Sequence, residues 1–293
     1  MASRFRIADY FSLVKINHTI FSLPFALIGF SLGAKEMNGQ IDWWILLLIL
    51  LCVLFARNAA MGFNRYADRI IDGKNPRTAQ REIPSRVIQP WAALLFVLVN
   101  ALLFMATTWF LNLTCFILSP VALVVILGYS LTKRFTHLSH VVLGLSLSLA
   151  PIGAYLAITG HFSLLPVLFS LIVIFWVTGF DILYALQDEE FDKKEHLKSF
   201  PARVGKRKAL VISALFHVCT IGIIVLTGFQ GGFHLFYWIG ALIFSLLLTY
   251  EHAIVKPTDI SRVNLAFATL NGTASVLYAV FVILDLFLNR FVG

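Results

Sequence analysis

Charge is what this chain has least of. Only 13% of its 293 residues are Asp, Glu, Lys or Arg, about half the ~25% of an ordinary soluble domain. That scarcity excludes a soluble globule once it is set beside 59% hydrophobic residues, a mean hydropathy of +0.85 and repeated apolar runs of about twenty residues. Alternating segments of about ten residues are missing as well, which excludes a membrane β-barrel. Cysteine is equally scarce. Cys52, Cys115 and Cys219 each lie within an apolar run and share no metal-ligand spacing. They read as small buried hydrophobes, with no disulfide framework and no zinc site, and the eight histidines show no pairing at metal spacing. A cleavable leader is also not expected: residues 1–15 are polar and basic, and the first apolar run lacks a small-residue cleavage site.

What remains is an all-α, polytopic membrane bundle. Nine apolar spans are predicted, at roughly 18–34, 41–64, 91–110, 113–131, 141–158, 164–186, 209–226, 233–250 and 264–288. Before them, Arg4, Arg6 and Lys15 among Phe5, Ile7, Tyr10 and Phe11 form an interfacial segment. Pro120, Pro151 and Pro166 fall in or near spans, where membrane helices tolerate them. The whole chain, 1–293, reads as one domain.

The net charge of +8 suggests a topology signal rather than a nucleic-acid partner. Sorted by loop, twenty of the 23 Lys and Arg residues fall on the N-terminal side of the bundle. Only Lys35 and Arg290 fall on the other, and Arg57 lies inside span 2. The positive-inside rule therefore puts the N-terminus in the cytoplasm. It also puts three loops there, at about 64–90, 131–140 and 187–208. Chemistry is expected at that mouth.

Two acidic clusters sit beside those loops. Asn64, Asp68 and Asp72 recur every fourth residue, which on a helix stacks three oxygen donors on one face. Such a set suits a hard divalent cation, and Mg²⁺ shares its shell with substrate phosphates. The bland alternative is a solvated helix end with Asp68 and Asp72 paired to Arg65 or Arg69. Arg57, seven residues before Asn64, shares that face as a buried counter-charge or a phosphate ligand. The second cluster is Asp181, Tyr184, Asp188 and Asp192, again expected on one helical face. Asp181 lies deepest and needs a metal, a water or Tyr184 as partner. Together the clusters suggest a clamp that holds a diphosphate between metal ions. Both are followed by a basic, proline-containing loop of about twenty residues, a coarse internal echo.

Arg69, Lys74, Arg77 and Lys198 lie close in sequence to the acids and are candidate phosphate ligands; each is equally well explained as a topology determinant. Lys133 and Arg134 carry the only charge of their short loop, and an arginine there suits a carboxylate. Of the eight histidines, His18, His137 and His140 are the ones to follow. Most of the 27 Phe and six Trp residues are expected to pack or face lipid; collectively they suit an isoprenoid tunnel that stabilises a cation.

Asn64-xxx-Asp68-xxx-Asp72 with Asn75-Pro76-Arg77-Thr78, and Asp181-xx-Tyr184-Ala-x-Gln187-Asp188-xxx-Asp192, resemble the two aspartate-rich motifs of the UbiA superfamily of intramembrane prenyltransferases. The segment 128–137 looks like that family's Tyr-Pro-x-x-Lys-Arg-x-Thr segment. Within the family the chain is most similar to the 4-hydroxybenzoate polyprenyltransferases. Ser130 stands where Pro is usual, His140 where Gln is common, and Glu82 where Pro is frequent. The resemblance implies Mg²⁺-dependent ionisation of a polyprenyl diphosphate in a lipid bilayer and attack on the allylic cation by an aromatic acid, ortho to its hydroxyl. It gives Asn64, Asp68, Asp72, Asp188 and Asp192 as the metal and diphosphate ligands and Arg134 as the carboxylate ligand. Asp181 is the candidate base. Ubiquinone or menaquinone biosynthesis in a bacterial inner membrane or organellar inner membrane is the expected setting. Homogentisate, dihydroxynaphthoate, haem or another menaquinone precursor as acceptor is the nearest alternative. A cation-coupled transporter is more remote, because its ligands belong near the midplane on broken helices.

Overall fold

The computed structural model describes residues 7–288. Arg4, Arg6 and Arg290, and the side chain of His18, lie outside the described residues. The described chain is helical, with a single isolated bridge between Lys256 and Asp259. In order the helices are α1 (Ile7–Val14), α2 (Leu23–Glu36), α3 (Trp43–Lys74), α4 (Pro90–Leu111), α5 (Leu113–Thr132), α6 (Ser139–Thr159), α7 (Leu164–Tyr184), α8 (Glu189–Lys194), α9 (Phe200–Val204), α10 (Lys206–Gln230), α11 (Leu235–Ile254) and α12 (Asn271–Leu288). Eight described helices are long and apolar enough to cross a membrane. The bent pair Ala8–Phe21 and Leu23–Glu36, meeting at 51°, makes nine when counted as one span.

Local chemistry sets the breaks. Asp42 caps α3 by accepting from the Trp44 and Ile45 amides at 2.9 and 3.0 Å. The helix then runs 32 residues, well past the predicted span end, and stops at Asn75, which precedes Pro76 and is extended. Asn112 separates α4 from α5. Its side chain accepts from the Cys115 amide and donates to the Leu156 and Ala157 carbonyls of α6. The segment before α12 is a π-helical turn, Leu265–Leu270.

The core runs along α7, against which α2, α6 and α10 pack. Phe25, Phe169, Trp176, Phe244 and Tyr278 are fully buried in one cluster, so these aromatics fill the bundle. Gly29 lets α2 approach α6: a Cβ there would lie 2.0 Å from the Pro151 carbonyl oxygen. Trp109, Val124, Val218 and Phe229 are exposed apolar side chains on the outside of the bundle, as a lipid-facing surface requires. All three cysteines are free, but only Cys115 is buried; Cys219 is exposed on α10, and the expectation of three buried thiols is corrected there.

Candidate active site

The long α3 and the α7–α8 junction bring the two acidic clusters to the walls of one cavity of about 220 Å³. Asn64, Asp68 and Asp72 line it from α3, and Asp181, Tyr184, Asp188 and Asp192 line it from the other side. Asp68, Asp72 and Asp192 are buried. The second cluster does not lie on one continuous helix as expected. A 3₁₀ turn, Ala185–Asp188, separates α7 from α8, and both segments nevertheless face the cavity.

Each carboxylate of the first cluster holds a basic partner. Asp68 receives Lys133 Nζ at 2.8 Å and, more distantly, Arg134 Nη2 at 3.4 Å. Arg81 Nη1 lies 2.8 Å from both oxygens of Asp72. The Asp72 carbonyl also accepts from Thr78 Oγ1 at 3.0 Å, which folds the loop after α3 back onto the helix end. Asp188 is held by Arg77 through Nε at 3.0 Å and through Nη2, and by Asn75 Nδ2 at 3.0 Å. Burial works against the Arg77 cation, but the hydrogen bond and charge of Asp188, with Tyr184 beside it, outweigh that cost. The guanidinium pKa is raised above the ordinary arginine value.

Asp181 has a partner that the sequence did not suggest. His140 Nδ1 on α6 lies 2.6 Å from Asp181 Oδ2, whereas Tyr184 stacks on Phe267 at 4.1 Å and accepts from Arg77 at 3.3 Å. His140 Nε2 receives the Phe200 amide at 3.4 Å. An amide only donates, so Nε2 is the bare nitrogen and Nδ1 carries the proton to Asp181. His140 is buried, and Asp181 is the member turned to the cavity, at 5% and 23% side-chain exposure.

Four of the anticipated phosphate ligands, together with Arg134, do not line this cavity, because each is engaged elsewhere. Arg57 donates to the Lys15 carbonyl at 2.6 Å and ties the N-terminal segment to α3. Arg69 lies over the Tyr66 ring, 4.4 Å from its centroid. Lys74 pairs with Glu195 at 2.6 Å. Lys198 donates to the Phe135 carbonyl at 3.0 Å, bracing the loop that carries Lys133. Arg134 binds Asp68 and the Ala67 carbonyl and is exposed. His137 stays outside too, and His140 comes in.

Other residues also line the cavity, of which Thr78, Tyr129 and Ser130 lie in the segments that carry the resemblance, while Arg65, Arg81 and Ser199 were not singled out as ligands. Arg65 is buried, lines the cavity and makes no hydrogen bond through Nε. The sequence offered it, like Arg69, as a partner for Asp68 or Asp72, but those acids pair with Lys133, Arg134 and Arg81 instead. Arg81, Thr78 and Ser199 arrive through loop folding, and Tyr129 and Ser130 through the approach of α5. The polar wall thus offers oxygen donors from two sides with cations between them. Among the described residues no three of its carboxylates converge within 4.8 Å, so a divalent cation there needs further oxygens from a ligand. That is the habit of Mg²⁺ with phosphates.

The profile of the UbiA prenyltransferase family matches residues 22–284. A curated relative from Herminiimonas arsenicoxydans, named 4-hydroxybenzoate octaprenyltransferase, is 28% identical over 275 residues, covering 93% of this chain and 96% of its own. The apo structure of a UbiA homolog from Aeropyrum pernix K1 superposes with a TM-score of 0.79 at 27% identity, over 94% of this chain and 98% of that one. A UbiA homolog from Archaeoglobus fulgidus, solved with DMAPP and Mg²⁺, has the same fold, with a TM-score of 0.66 at 21% identity over 92% and 99% of the two chains. The chain belongs to the UbiA prenyltransferase family.

Proposed function

We propose that this chain transfers a polyprenyl group from its diphosphate to the ring of 4-hydroxybenzoate, ortho to the hydroxyl. The observation that carries this reading is the meeting of two acidic clusters and their basic partners around one cavity. The name of the Herminiimonas relative supports the acceptor, and the Archaeoglobus homolog solved with DMAPP and Mg²⁺ supports the donor and the metal. One domain spanning the chain does this, in a bacterial inner membrane or organellar inner membrane, with the cavity toward the cytoplasm in keeping with the charge asymmetry of the loops.

Asn64, Asp68, Asp72, Asp188 and Asp192 would hold Mg²⁺. When bound, the ions supply Lewis-acid neutralisation of the departing diphosphate. Lys133, Arg77 and Arg81 are the cavity cations paired with these carboxylates, and they meet the phosphate oxygens by exchanging carboxylate partners for them. As the allylic C–O bond breaks, Ile71, Leu143 and Phe191 keep water from the carbocation. Tyr129 lines the cavity and is the tyrosine there available to stabilise the cation, since the Tyr184 ring is stacked on Phe267 and has Arg77 over it. The ring carbon forms the new C–C bond, and its proton passes to the Asp181 carboxylate, which the His140 Nδ1–H holds in place. For the acceptor carboxylate, Arg65 is the buried guanidinium with capacity to spare; Arg134 acts through Asp68 instead.

The direct test is transfer of a labelled prenyl group by membranes containing the protein, with 4-hydroxybenzoate set against a panel of aromatic acceptors and with EDTA as the metal control. Product from 4-hydroxybenzoate that EDTA abolishes is the expected outcome. Product from another acceptor alone overturns the assignment.

A further inference from the structure

A second cluster of ionisable side chains lies among α7, α10, α11 and the start of α12, and none of its members lines the cavity of the aspartates. His217, Glu251 and His252 each offer one ligand atom, all within 4.8 Å of one another. His217 Nδ1 is 2.8 Å from Glu251 Oε1 and 2.9 Å from His252 Nε2, and His252 Nε2 is 4.0 Å from Glu251 Oε1. Glu251 is fully buried and His217 nearly so.

Two observations point to a missing cation. The first is a fixed tautomer. His217 Nε2 faces the Trp176 carbonyl at 3.2 Å. A carbonyl only accepts, so Nε2 carries a proton, and in the neutral ring the bare lone pair of Nδ1 is the one turned toward Glu251 and His252. The second is an orphan. Glu251 Oε1 is buried without a hydrogen bond; the close approach of His217 Nδ1 does not follow a hydrogen-bonding direction. The bare Nδ1 can take the His252 Nε2–H at 2.9 Å, which leaves the buried Glu251 Oε1 as the atom that still lacks a donor or a cation.

We propose that His217, Glu251 and His252 bind a divalent transition metal, best matched by Zn²⁺. Two imidazoles and a carboxylate are a known zinc ligand set; the separations of 2.8, 2.9 and 4.0 Å put the point about 2.0 Å from all three atoms in their own plane, so a tetrahedral ion would draw His217 back from its two partners. The surroundings are built as an outer shell. Asn271 Nδ2 donates to the other oxygen, Glu251 Oε2, at 2.7 Å. Trp176 Nε1 donates to Asn271 Oδ1 at 2.6 Å. The Trp176 carbonyl completes the ring by orienting His217. Gly179 makes the room: a Cβ there would sit 2.3 Å from the His217 ring. His252, at 19% side-chain exposure, gives an entry path and a side for a water as fourth ligand. The metal ties α10 to α11 and, through the Asn271–Trp176 chain, to α12 and α7. It is a structural staple separate from the Mg²⁺ chemistry.

The test uses the purified full chain in detergent, stripped with EDTA and dialysed against Zn²⁺ or Co²⁺. A single equivalent of zinc by elemental analysis, and the intense visible absorption of four-coordinate Co²⁺, are expected for the native chain and for Asp68→Asn. Both are lost in Glu251→Gln and His252→Ala. In Asn271→Ala the zinc affinity falls roughly 10–100-fold. The Co²⁺ spectrum of the native chain needs no variant, so a misfolded variant leaves the test intact. Native protein that takes up no zinc, or equal zinc in the native chain and in folded His252→Ala, overturns the site in favour of a buried imidazolium–carboxylate pair. Because Asp68→Asn reports the zinc site without turnover, failure here is distinct from failure of the prenyl-transfer reading.

Discussion

Asp181 and His140 form a pair 2.6 Å apart that joins α7 to α6 at the cavity wall. The buried imidazole donates and the more exposed carboxylate accepts, which leaves Asp181 as the group able to receive a proton from substrate. Asp181→Asn is therefore expected to lower kcat by about 10²–10⁴-fold with little change in the KM for prenyl diphosphate. His140→Gln, whose amide can still donate, should lose far less. Equal losses in steady-state assays of both variants would remove the proton-acceptor role.

The metal clamp has its own test. Asp68→Ala combined with Asp188→Ala takes one donor from each wall and should abolish prenyl transfer at any Mg²⁺ concentration. Turnover near the native rate, measured with excess Mg²⁺, sinks the clamp assignment.

Acceptor selection separates two arginines. Arg65→Gln should raise the KM for 4-hydroxybenzoate by roughly 10-fold or more, the scale of one charge-assisted hydrogen bond, and should affect a non-carboxylated phenol much less. Arg134→Ala should weaken turnover with both acceptors alike, because its contact is with Asp68. The reverse pattern in paired kinetic assays would return the carboxylate to Arg134.

Stability rests partly on Arg81. Removing it strands the buried Asp72 carboxylate, so Arg81→Ala should destabilise the protein by about 1–3 kcal/mol. Arg81→Ala with Asp72→Ala should recover part of that in thermal unfolding in detergent. No recovery would mean that the pair is incidental.

Close helix approach supplies a further check. Gly29→Ala must push a Cβ into the Pro151 carbonyl, separating α2 from α6, at a cost of about 1–3 kcal/mol. An unchanged melting temperature would show that the contact is soft.

The sequence carried the large features well, because membrane helices announce themselves by length and hydropathy. The i, i+4 spacing of Asn64, Asp68 and Asp72 needed only a helix to become a wall, and α3 supplies one. Less legible was anything that depends on which helix lies beside which. Asp181 finds His140 across 41 positions, and Arg77 finds Asp188 across 111. Lys74, Lys198 and Arg69 sit near the acids in sequence, yet their side chains turn to Glu195, a backbone carbonyl and Tyr66. The same limit hid the His217–Glu251–His252 cluster, whose members are not spaced as ligands in the chain and meet only when α10 packs on α11.

The pairing of Asp68, Asp72 and Asp188 with Lys133, Arg81 and Arg77 implies an order of arrival. On the function proposed above, a bare Mg²⁺ ion would have to displace cations that are about a quarter to a third exposed from their carboxylates. A metal arriving with its diphosphate brings negative oxygens that those same cations can take in exchange. Loading is then a swap of partners in which no charge is left naked, and metal and donor should bind as one cargo.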